Sequence, residues 1–531
     1  MPNTQNSTDA IIIGGGHNGL VCAYYLASNG LKVNIFERRS IIGGAAVTEE
    51  FHPEFKNSVA SYTVSLLNPE IIKEMKLKEY GLKIVKRPIS NFLPIDDKTY
   101  LKLGGGLERT QEEFKKFSEK DAARLPEYYD RIEAVADVLR DISVKTPPNP
   151  KKGIKAVLGA ALQLWPIATK GNQVHRDVYD LFTKSARSFL DSWFENEHIK
   201  AAFGFDSTVG NFASPDTPGS AYVLLHHVFG EIDGEKGVWG HAIGGMGSIT
   251  QAMEKACKNM GVKIFTDAPV NKVIVKDNAA VGIELEDGSS IVANKIISNL
   301  NPKLLYKKLI SEDELEPEFN RGMDGYKCGS GTFRMNVALA ELPDFSVLPG
   351  KEVGEHHQSG IVIAPTLDYM DKAYIDAKSQ GWSSAPIVEM LIPSTIDNTL
   401  APDGKHVASL FCQQFSPTMP DGSSWHDHRL AAADTIIETV TKHAPNFRES
   451  ILGMMILSPL DLEEKFGLIG GDIMHGQMSL DQMWAARPLM NFGDYRGPLK
   501  SLYMCGSGTH PGGGVTGLPG KNAAREILKD V

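Results

Sequence analysis

The pattern of apolar and polar positions near the start of the chain predicts a strand, a helix and a second strand. Ala10 to Ile13 form an uninterrupted apolar run, which is typical of a parallel strand buried on both faces. A helix is predicted from about Asn18 to Asn29, with Gly30 as its C-terminal stop. Apolar residues return over Leu31 to Phe36. This order of elements indicates an α/β fold built on a parallel sheet.

The turn between the first strand and the helix has the glycine spacing G-x-G-x-x-G. Gly14 permits a tight turn, Gly16 lets a pyrophosphate approach the backbone, and Gly19 lets the helix pack closely on the strand. The helix N-terminus, which includes His17 and Asn18, offers unpaired N–H groups to phosphate oxygens. Because a strand precedes the turn and a helix follows it, the spacing predicts a dinucleotide-binding site.

An acidic residue and two arginines follow the second strand. Glu37 lies 18 residues after Gly19, where its carboxylate can accept hydrogen bonds from both ribose hydroxyls. Arg38 and Arg39 could indicate a 2′-phosphate and therefore NADP. The carboxylate of Glu37 would repel that phosphate, so we expect a solvated charge pair, or Arg38 near the cofactor's phosphates.

Two further glycine pairs indicate loops whose backbone approaches the cofactor. The first is Gly43-Gly44-Ala45, which simple nicotinamide dehydrogenases do not need. The second is Gly244-Gly245-Met246-Gly247, which opens a helix predicted to reach about Met260. The residues expected to contact the cofactor here are Gly43, Gly44, Ala45, Gly245 and Met246.

A β-meander is predicted after that helix. Its strands are Val270–Val275, Ala280–Leu285 and Ile291–Asn299, and Gly288 marks a turn between the last two. A meander inserted into a dinucleotide-binding fold is an arrangement that flavoproteins use. It places the backbone of Val270 where it can face an adenine.

The C-terminal segment combines a strand, a long glycine-rich loop and a helix. The strand ends at Cys505, and the helix is predicted to begin at about Gly520. Close backbone approach to a flat cofactor explains so many glycines. The helix N-terminus can then point at the N1–C2=O edge of a reduced flavin. The residues expected to contact the cofactor are Gly506, Gly508, Gly517, Leu518 and Pro519.

The region between these motifs has less chemistry. Residues 69–170 are predicted to be mostly helical, and residues 302–457 to mix strands and helices. The most apolar stretch is 153–168, which lysines border. Three interpretations stay open for it: a core helix of a second domain, an interfacial helix that contacts a membrane, or the lip of an apolar substrate channel.

Composition and charge exclude several classes of function. The chain has 531 residues, 42% of them hydrophobic and 23% charged, as in an ordinary globular protein with more than one core. Its net charge of −10 offers no footprint for nucleic acid. No apolar run approaches the roughly 20 residues that span a bilayer. The first eight residues resemble neither a signal peptide nor a transit sequence.

Cysteines and histidines do not follow metal-site or disulfide spacings. None of the five cysteines forms a C-x-x-C pair, so we expect reduced thiols and a cytoplasmic location. His356-His357 and His426-Asp427-His428 lack a third ligand at helical spacing, and no metal is expected.

Together these motifs resemble the phytoene desaturase-related flavoproteins. The similarity rests on the first glycine turn with Glu37, the two later glycine pairs, and above all the stretch from Thr509 to Gly517, T-H-P-G-G-G-V-T-G. Within these flavoproteins the chain most resembles the group named pyridine nucleotide-disulphide oxidoreductase domain-containing protein 2. The resemblance covers nearly the whole chain.

The resemblance implies a fold, a cofactor and a domain division. The fold would be a Rossmann-like, three-layer ββα FAD-binding domain with a discontinuous α+β substrate domain, as in amine oxidases. FAD would be bound non-covalently. The FAD domain would comprise residues 1–70, 240–300 and 458–531, and the substrate domain residues 71–239 and 301–457. Animal members of the group are linked to mitochondria.

Two departures from the disulphide-reductase pattern are clear. The chain has neither a C-x-x-C pair nor a second G-x-G-x-x-G for NADPH, so dithiol reduction is not expected. Gly506 is followed by Ser507 rather than by an acid, which matches the carotenoid-desaturase pattern better.

The expected activity is an FAD-dependent oxidation of desaturase, dehydrogenase or oxidase type. A hydride would pass from an apolar substrate, polyene or lipid-like molecules included, to flavin N5, with oxygen or a quinone as acceptor. His510, His475 and Arg487 are the candidate catalytic residues, and each has an alternative structural role. Two other functions stay open: a non-redox, carotenoid-isomerase-like enzyme, and an FAD-containing interaction protein with little catalysis.

Overall fold

The computed structural model describes residues 8–531, with side chains except at positions 152, 154–157, 164, 166–168, 226 and 227. The prediction that the first eight residues resemble neither a signal peptide nor a transit sequence therefore falls mainly on residues 1–7, which lie outside the described ones. The strands are β1 Thr8–Ile13, β2 Val33–Phe36, β3 Thr48–His52, β4 Phe55–Ser58, β5 Ile84–Lys86, β6 Asn91–Pro94, β7 Tyr100–Leu103, β8 Glu231–Ile232, β9 Glu235–Lys236, β10 Gly240–Ala242, β11 Lys263–Phe265, β12 Val270–Lys276, β13 Ala279–Leu285, β14 Ser290–Ser298, β15 Phe333–Leu339, β16 Gly360–Ile363, β17 Trp382–Leu391, β18 His406–Phe415, β19 Ile451–Leu457 and β20 Leu502–Met504.

The α-helices lie between these strands. They are α1 His17–Ser28, α2 Pro69–Glu74, α3 Leu107–Lys115, α4 Glu119–Ser143, α5 Ile154–Thr169, α6 Asn172–Thr183, α7 Ala186–Asp191, α8 Glu197–Gly204, α9 His226–Phe229, α10 Gly247–Asn259, α11 Pro302–Leu304, α12 Pro317–Asp324, α13 Leu367–Gln380, α14 Trp425–His443, α15 Phe447–Ser450, α16 Pro459–Phe466 and α17 Leu518–Leu528. Over the described residues 107–229, helices α3 to α9 follow one another without a strand between them.

The first sheet joins the parallel strands and the predicted meander. β11, β2, β1, β14 and β20 pair in parallel in that order, and β14, β13 and β12 pair antiparallel. β14 serves both parts, because its first half pairs with β13 and its second half pairs with β1 and β20. The predicted βαβ unit and meander are confirmed.

The two faces of β1 explain its uninterrupted apolar run. Ala10 and Ile12 pack into a core formed with α1, α10 and α17. Ile11 and Ile13 pack on the opposite face, in a core formed with the meander. A strand covered on both sides needs apolar residues at every position, which makes three layers: helices, parallel sheet and meander.

The second sheet has the order β19-β15-β18-β17-β16-β6-β7. Only β16 and β6 in this sheet pair in parallel, among the described residues. Helix α14 covers one face, and α4, α7, α8 and α13 contribute to the apolar core on the other. The predicted mixture of strands and helices over 302–457 is confirmed, whereas the domain division stays a prediction.

The region 69–170 is mostly helical, as predicted, because α2, α3, α4 and α5 occupy more than half of it. It also contains β5, β6 and β7, of which β5 and β6 pair with strands distant in sequence. The apolar stretch 153–168 does form a helix, α5, but Leu158, Leu162 and Trp165 on it are 60%, 71% and 62% exposed. None of the described side chains of α5 is fully buried, which disagrees with the core-helix interpretation.

Asp397 joins the second sheet to the glycine turn before α10. Its carboxylate accepts hydrogen bonds from His241 Nε2 at 2.8 Å, from the Gly244 N–H at 2.7 Å and from Thr399. Burial alone would raise the pKa of Asp397, but these bonds outweigh it and lower the pKa to about 2, from an ordinary 3.8.

Folding lowers the pKa of Asp397 from 3.8 to about 2, and this difference predicts a pH-dependent contribution of Asp397 to stability. A carboxyl whose pKa is lowered by folding stabilises the fold above its unfolded pKa and loses that effect as the pH falls. We expect Asp397→Asn to lower the free energy of unfolding by about 2 kcal/mol at neutral pH. The difference from the parent should shrink between about pH 4 and pH 2 in denaturant titrations. The exposed Asp403→Asn, on the same loop, is the control, and a difference independent of pH would contradict the assignment.

Candidate functional site

A cavity of about 510 Å³ opens at the carboxyl ends of the parallel strands. Ile13 and Phe36, the last residues of β1 and β2, line it, as do Asn299 after β14 and Ser507 after β20. Ligands of α/β sheets bind at this edge. Among the predicted site residues, those that line the cavity are Gly14, Gly16, His17, Asn18, Glu37, Arg38, Gly44, Ala45, Met246, Val270 and His475.

Glu37 holds the first glycine turn as well as facing the cavity. Its carboxylate is 6% exposed and accepts hydrogen bonds from the Gly15 N–H at 2.8 Å and the Arg39 N–H at 2.9 Å. Both arginine side chains have protein partners: Arg38 donates to the Glu464 carbonyl, and Arg39 pairs with Glu49. Arg39 Nη1 has no partner among the described residues. The geometry agrees with a ribose-binding carboxylate.

The first two glycine loops touch backbone to backbone. The Gly43 N–H donates to the Gly15 carbonyl at 2.9 Å, and a Cβ added at Gly44 would lie 3.1 Å from the Gly16 Cα. The φ of Gly44 is +58°, so a side chain there would be strained as well. A flat or extended ligand can therefore reach two backbones at once.

Five buried polar atoms in the cavity wall have no hydrogen-bond partner among the described residues. They are His17 Nε2, Asn18 Oδ1, Arg39 Nη1, Ser65 Oγ and His475 Nδ1. Burial lowers the pKa of His17 to about 4 and that of His475 to about 3, so both rings are neutral at neutral pH. Buried polar atoms are normally paired, so this set indicates a bound polar ligand. Together with the glycine turns, it fits a dinucleotide.

Eight predicted cofactor residues do not line the cavity. Gly19 and Gly506 show why, because a Cβ on either would lie 2.6 Å from a backbone oxygen, that of Gly14 or Asn299. They let elements pack closely and shape the cavity from behind. The others are Gly43, Gly245, Gly508, Gly517, Leu518 and Pro519. Their direct contact with the cofactor stays a prediction.

Of the candidate catalytic residues, only His475 lines the cavity. His510 is 5% exposed and its Nε2 bonds the Ile142 carbonyl at 3.1 Å. Burial lowers the pKa of His510 to about 4, so the ring is neutral. This bond supports the alternative in which His510 fixes the C-terminal loop, and its catalytic role stays a prediction.

Arg487 lies behind the cavity wall and is fully buried. Its guanidinium donates to the backbone carbonyls of Ser507, Gln482, Met474 and Gly476, at 2.6 to 3.3 Å. These bonds join three segments around the cavity. The geometry supports a structural role for Arg487, and a catalytic role stays a prediction.

Sequence reasoning missed much of the cavity wall. Residues 60–67 contribute a continuous part of it, and Trp239, Phe411, Gly514 and Val515 contribute others. The segment 60–67, A-S-Y-T-V-S-L-L, carries no motif. Asn299 stands at the end of a predicted meander strand, and only the structure shows that this strand also pairs in parallel with β1 and β20.

A second cavity, of about 700 Å³, adjoins the first. Tyr62, Val209 and Trp239 line both. Tyr62 stacks on Phe411 with ring centroids 5.1 Å apart, which forms a flat aromatic wall at the junction. The second cavity therefore lies directly beside the cavity that carries the glycine turns.

Of the pair His426 and His428, His426 has acidic neighbours in the structure that are distant in sequence. His426 lies beside Asp461 and Glu464, near enough for three metal ligands. Asp461 already accepts hydrogen bonds from the Ser458 N–H that caps α16 and from Arg429. These bonds favour a helix-capping role.

Comparison with known proteins identifies the family. Residues 19–332 match the family described as Flavin containing amine oxidoreductase. The chain belongs to this family. It is therefore an FAD-dependent oxidoreductase, and the cavity with its unpaired polar atoms is where the family's flavin cofactor fits.

The relatives of this flavoenzyme agree with the resemblance found in its motifs. The Rattus norvegicus protein named Pyridine nucleotide-disulfide oxidoreductase domain-containing protein 2 is 39% identical over 98% of this chain and 94% of its own length. A lycopene-forming phytoene desaturase from Pantoea ananas is 24% identical over 98% of this chain and 99% of its own length. The expected relation to the phytoene desaturase-related flavoproteins is confirmed.

A solved structure confirms the expected fold of the flavoenzyme. An oxidoreductase from Methanosarcina mazei superposes with a TM-score of 0.59 over 98% of this chain and all of its own. The two sequences are 16% identical, so the likeness shows the fold alone. None of the helices among residues 8–531 is both long and apolar enough to cross a bilayer.

Proposed function

We propose that this flavoenzyme oxidises a largely apolar molecule at a C–H bond and passes the electrons to oxygen or a quinone. The wall that the two cavities share, formed by Tyr62, Val209 and Trp239, carries the proposal. The junction is aromatic and aliphatic, as a desaturase or dehydrogenase of apolar substrates requires. The phytoene desaturase of Pantoea ananas, named as lycopene-forming, covers almost the same length.

The chain's own residues would bind and orient both molecules. The N–H groups at the start of α1 and the bare backbone of Gly16 would hold the pyrophosphate, and Glu37 the ribose. FAD supplies, when bound, a two-electron acceptor for hydride at N5. Tyr62 and Phe411 would exclude water from the junction and hold the reacting carbon against one face of the cofactor.

The decisive experiment is anaerobic reduction of the FAD-loaded protein. A panel of polyenes, long-chain alkenes and lipid-like alcohols is added, and bleaching of the flavin absorbance is followed together with the product mass. A product lighter by two hydrogen atoms, formed as the flavin bleaches, is the expected result. An unchanged mass with new double-bond positions would favour the isomerase alternative. A flavin that no compound reduces would favour the interaction protein.

We further propose that α5 docks on a membrane from which such substrates come. Leu158, Leu162 and Trp165 recur at helical spacing, so their exposed side chains share one face. Exposed Lys151 and Lys170 border the helix and would contact anionic headgroups. A protein with a net charge of −10 would approach such a membrane only through a local face of this kind.

Vesicle sedimentation tests this docking. Replacing Leu158, Leu162 and Trp165 together by serine should lower binding to anionic vesicles at least tenfold, because about 1.5–3 kcal/mol of apolar burial is lost at each position. The control is Leu430→Ser, since Leu430 on α14 is 70% exposed but isolated. Equal sedimentation of the triple variant and the control would contradict the proposal.

A further inference from the structure

The second cavity contains a buried polar cluster that an apolar substrate would not use. Glu389 on β17 is 6% exposed, lines the cavity and accepts a hydrogen bond from the Tyr62 hydroxyl. Arg87 lines the same cavity, and its guanidinium donates to Thr63 Oγ1. Because Tyr62 also lines the cofactor cavity, the cluster begins at the junction of the two.

A second arginine lies behind the same tyrosine. Arg334 is 1% exposed, and its guanidinium carbon is 4.7 Å from the Tyr62 ring centroid. Its Nη2 donates to Ser409 at 2.8 Å, while Nε and Nη1 have no partner among the described residues. The cluster is thus rigid on the protein side and incompletely paired.

Charges of both signs act on Glu389. Burial raises the pKa of Glu389, the positive charges of Arg87 and Arg334 oppose that rise, and Asp206 adds to it. Arg87 and Asp206 both line the cavity with Glu389. Arg334 lines neither cavity and acts from behind Tyr62.

The mouth of the second cavity is also polar. Lys86 pairs with Glu235 at 2.6 Å, and Lys236 pairs with Glu133 at 2.8 Å, at exposed positions of the lining. Polar groups therefore run from the mouth to Glu389, and apolar groups surround the junction with the first cavity. A pure hydrocarbon filling this space would leave Glu389 with only the bond from Tyr62 and Arg87 with only the bond to Thr63, and would offer neither a further partner.

We propose that the cavity binds an amphipathic substrate whose hydroxyl group donates to Glu389 and accepts from Arg87. This inference rests on the proposed function in one respect, because the apolar part of the same molecule would lie at the junction beside the flavin. It assigns Glu389 and Arg87 as residues that determine substrate specificity.

The mixture of charges favours a hydroxyl over an ionised group. An ammonium would be repelled by Arg87 in the cavity wall and by Arg334 behind Tyr62, and a carboxylate would be repelled by Glu389 and Asp206 in the wall. A hydroxyl both donates and accepts, and carries no charge into a low-dielectric space.

Equilibrium binding to the oxidised, FAD-loaded protein tests the inference without turnover. The probes are n-octanol and its isomer methyl heptyl ether, which have the same atoms but differ in the hydroxyl donor. Binding is measured by calorimetry and by the perturbation of the flavin absorbance. We expect n-octanol to bind at least about tenfold more tightly, as a hydrogen bond to a charged group provides. Octylamine and octanoate are the charged comparisons, and both should bind more weakly than n-octanol.

Substitutions then show which residues cause the preference for n-octanol over the ether. Glu389→Gln should remove most of the tenfold discrimination between alcohol and ether, and Tyr62→Phe should reduce it. The control is Glu355→Gln, whose carboxylate also pairs with an arginine, Arg109, but lines neither cavity. FAD content and thermal unfolding confirm that each variant is folded.

The outcomes separate this inference from the proposed function. Equal affinity of the parent protein for alcohol and ether, or no binding of n-octanol, overturns it without any variant. Tighter binding of octylamine or octanoate than of n-octanol overturns the choice of a hydroxyl. A protein that shows the expected preference but whose flavin no substrate reduces would retain the binding site and lose the proposed oxidation.

Discussion

Arg487→Met is expected to destabilise the protein by at least about 3 kcal/mol and to release most of its FAD. The substitution keeps an unbranched side chain but removes every donor that now satisfies the carbonyls of Ser507, Gln482, Met474 and Gly476. Asp472, a fully buried carboxyl nearby, would also lose a neighbouring positive charge. Denaturant unfolding and the flavin content of the purified variant measure the two effects.

Two comparisons distinguish this structural role from catalysis by Arg487. Arg487→Lys should recover only part of the stability, because one ammonium cannot reach carbonyls spread around a planar guanidinium. Arg448→Met, which removes an exposed arginine paired with Asp434, should change stability by no more than about 0.5 kcal/mol. An Arg487→Met protein that keeps its stability and FAD but loses turnover would instead make Arg487 catalytic.

Gly16→Val is expected to produce a folded protein that cannot hold FAD. A Cβ at Gly16 would lie 2.7 Å from Asn299 Nδ2, and the remaining methyl groups would enter the space beside Gly44 where the pyrophosphate approaches. Loss of about 3 kcal/mol of phosphate hydrogen bonding corresponds to an affinity about a hundredfold weaker. Titration of the apoprotein with FAD, followed by flavin fluorescence, gives the affinity.

The matched control is a glycine at the other end of α1. Gly30 has a φ of +91°, and no atom lies within 4 Å of the Cβ that alanine would add. Gly30→Ala should therefore cost about 1 kcal/mol of backbone strain while leaving FAD affinity unchanged. Parent-like FAD binding by Gly16→Val would mean that the first glycine turn does not hold the cofactor.

The second cavity has two environments, an apolar junction with the first cavity and a polar cluster around Glu389. Tyr62 belongs to both, since its ring stacks on Phe411 at the apolar junction and its hydroxyl bonds Glu389 in the polar cluster. A substrate that spans them would be oriented by its polar end before its apolar carbon reaches the cofactor. Such positioning by a remote group is a common source of specificity in enzymes.

Local sequence determined the elements that hold the dinucleotide. The glycine spacing from Gly14, the uninterrupted apolar run of β1 and the acid at Glu37 each act within a few tens of residues. Such short-range patterns specify a strand, a turn and a helix N-terminus directly. The meander and the C-terminal strand, loop and helix were predictable for the same reason, although α17 begins at Leu518 because Pro519 suits its first turn.

Tertiary structure alone decided which of these residues face the cavity. Gly19 and Gly506, like Gly16, belong to glycine-rich turns and were predicted to contact the cofactor. In the structure, a Cβ on Gly19 or Gly506 would lie against a backbone oxygen, and neither residue lines the cavity. The sequence could not decide whether α5 lies in a core or at the surface, because an apolar helix suits either a protein core or a membrane. Only the tertiary structure shows whether other elements cover its side chains. Glu389 and Tyr62 are 327 residues apart, and no local pattern connects them. Their contact depends on how the segment 60–67 packs against β17, so the polar cluster could be found only in the folded chain.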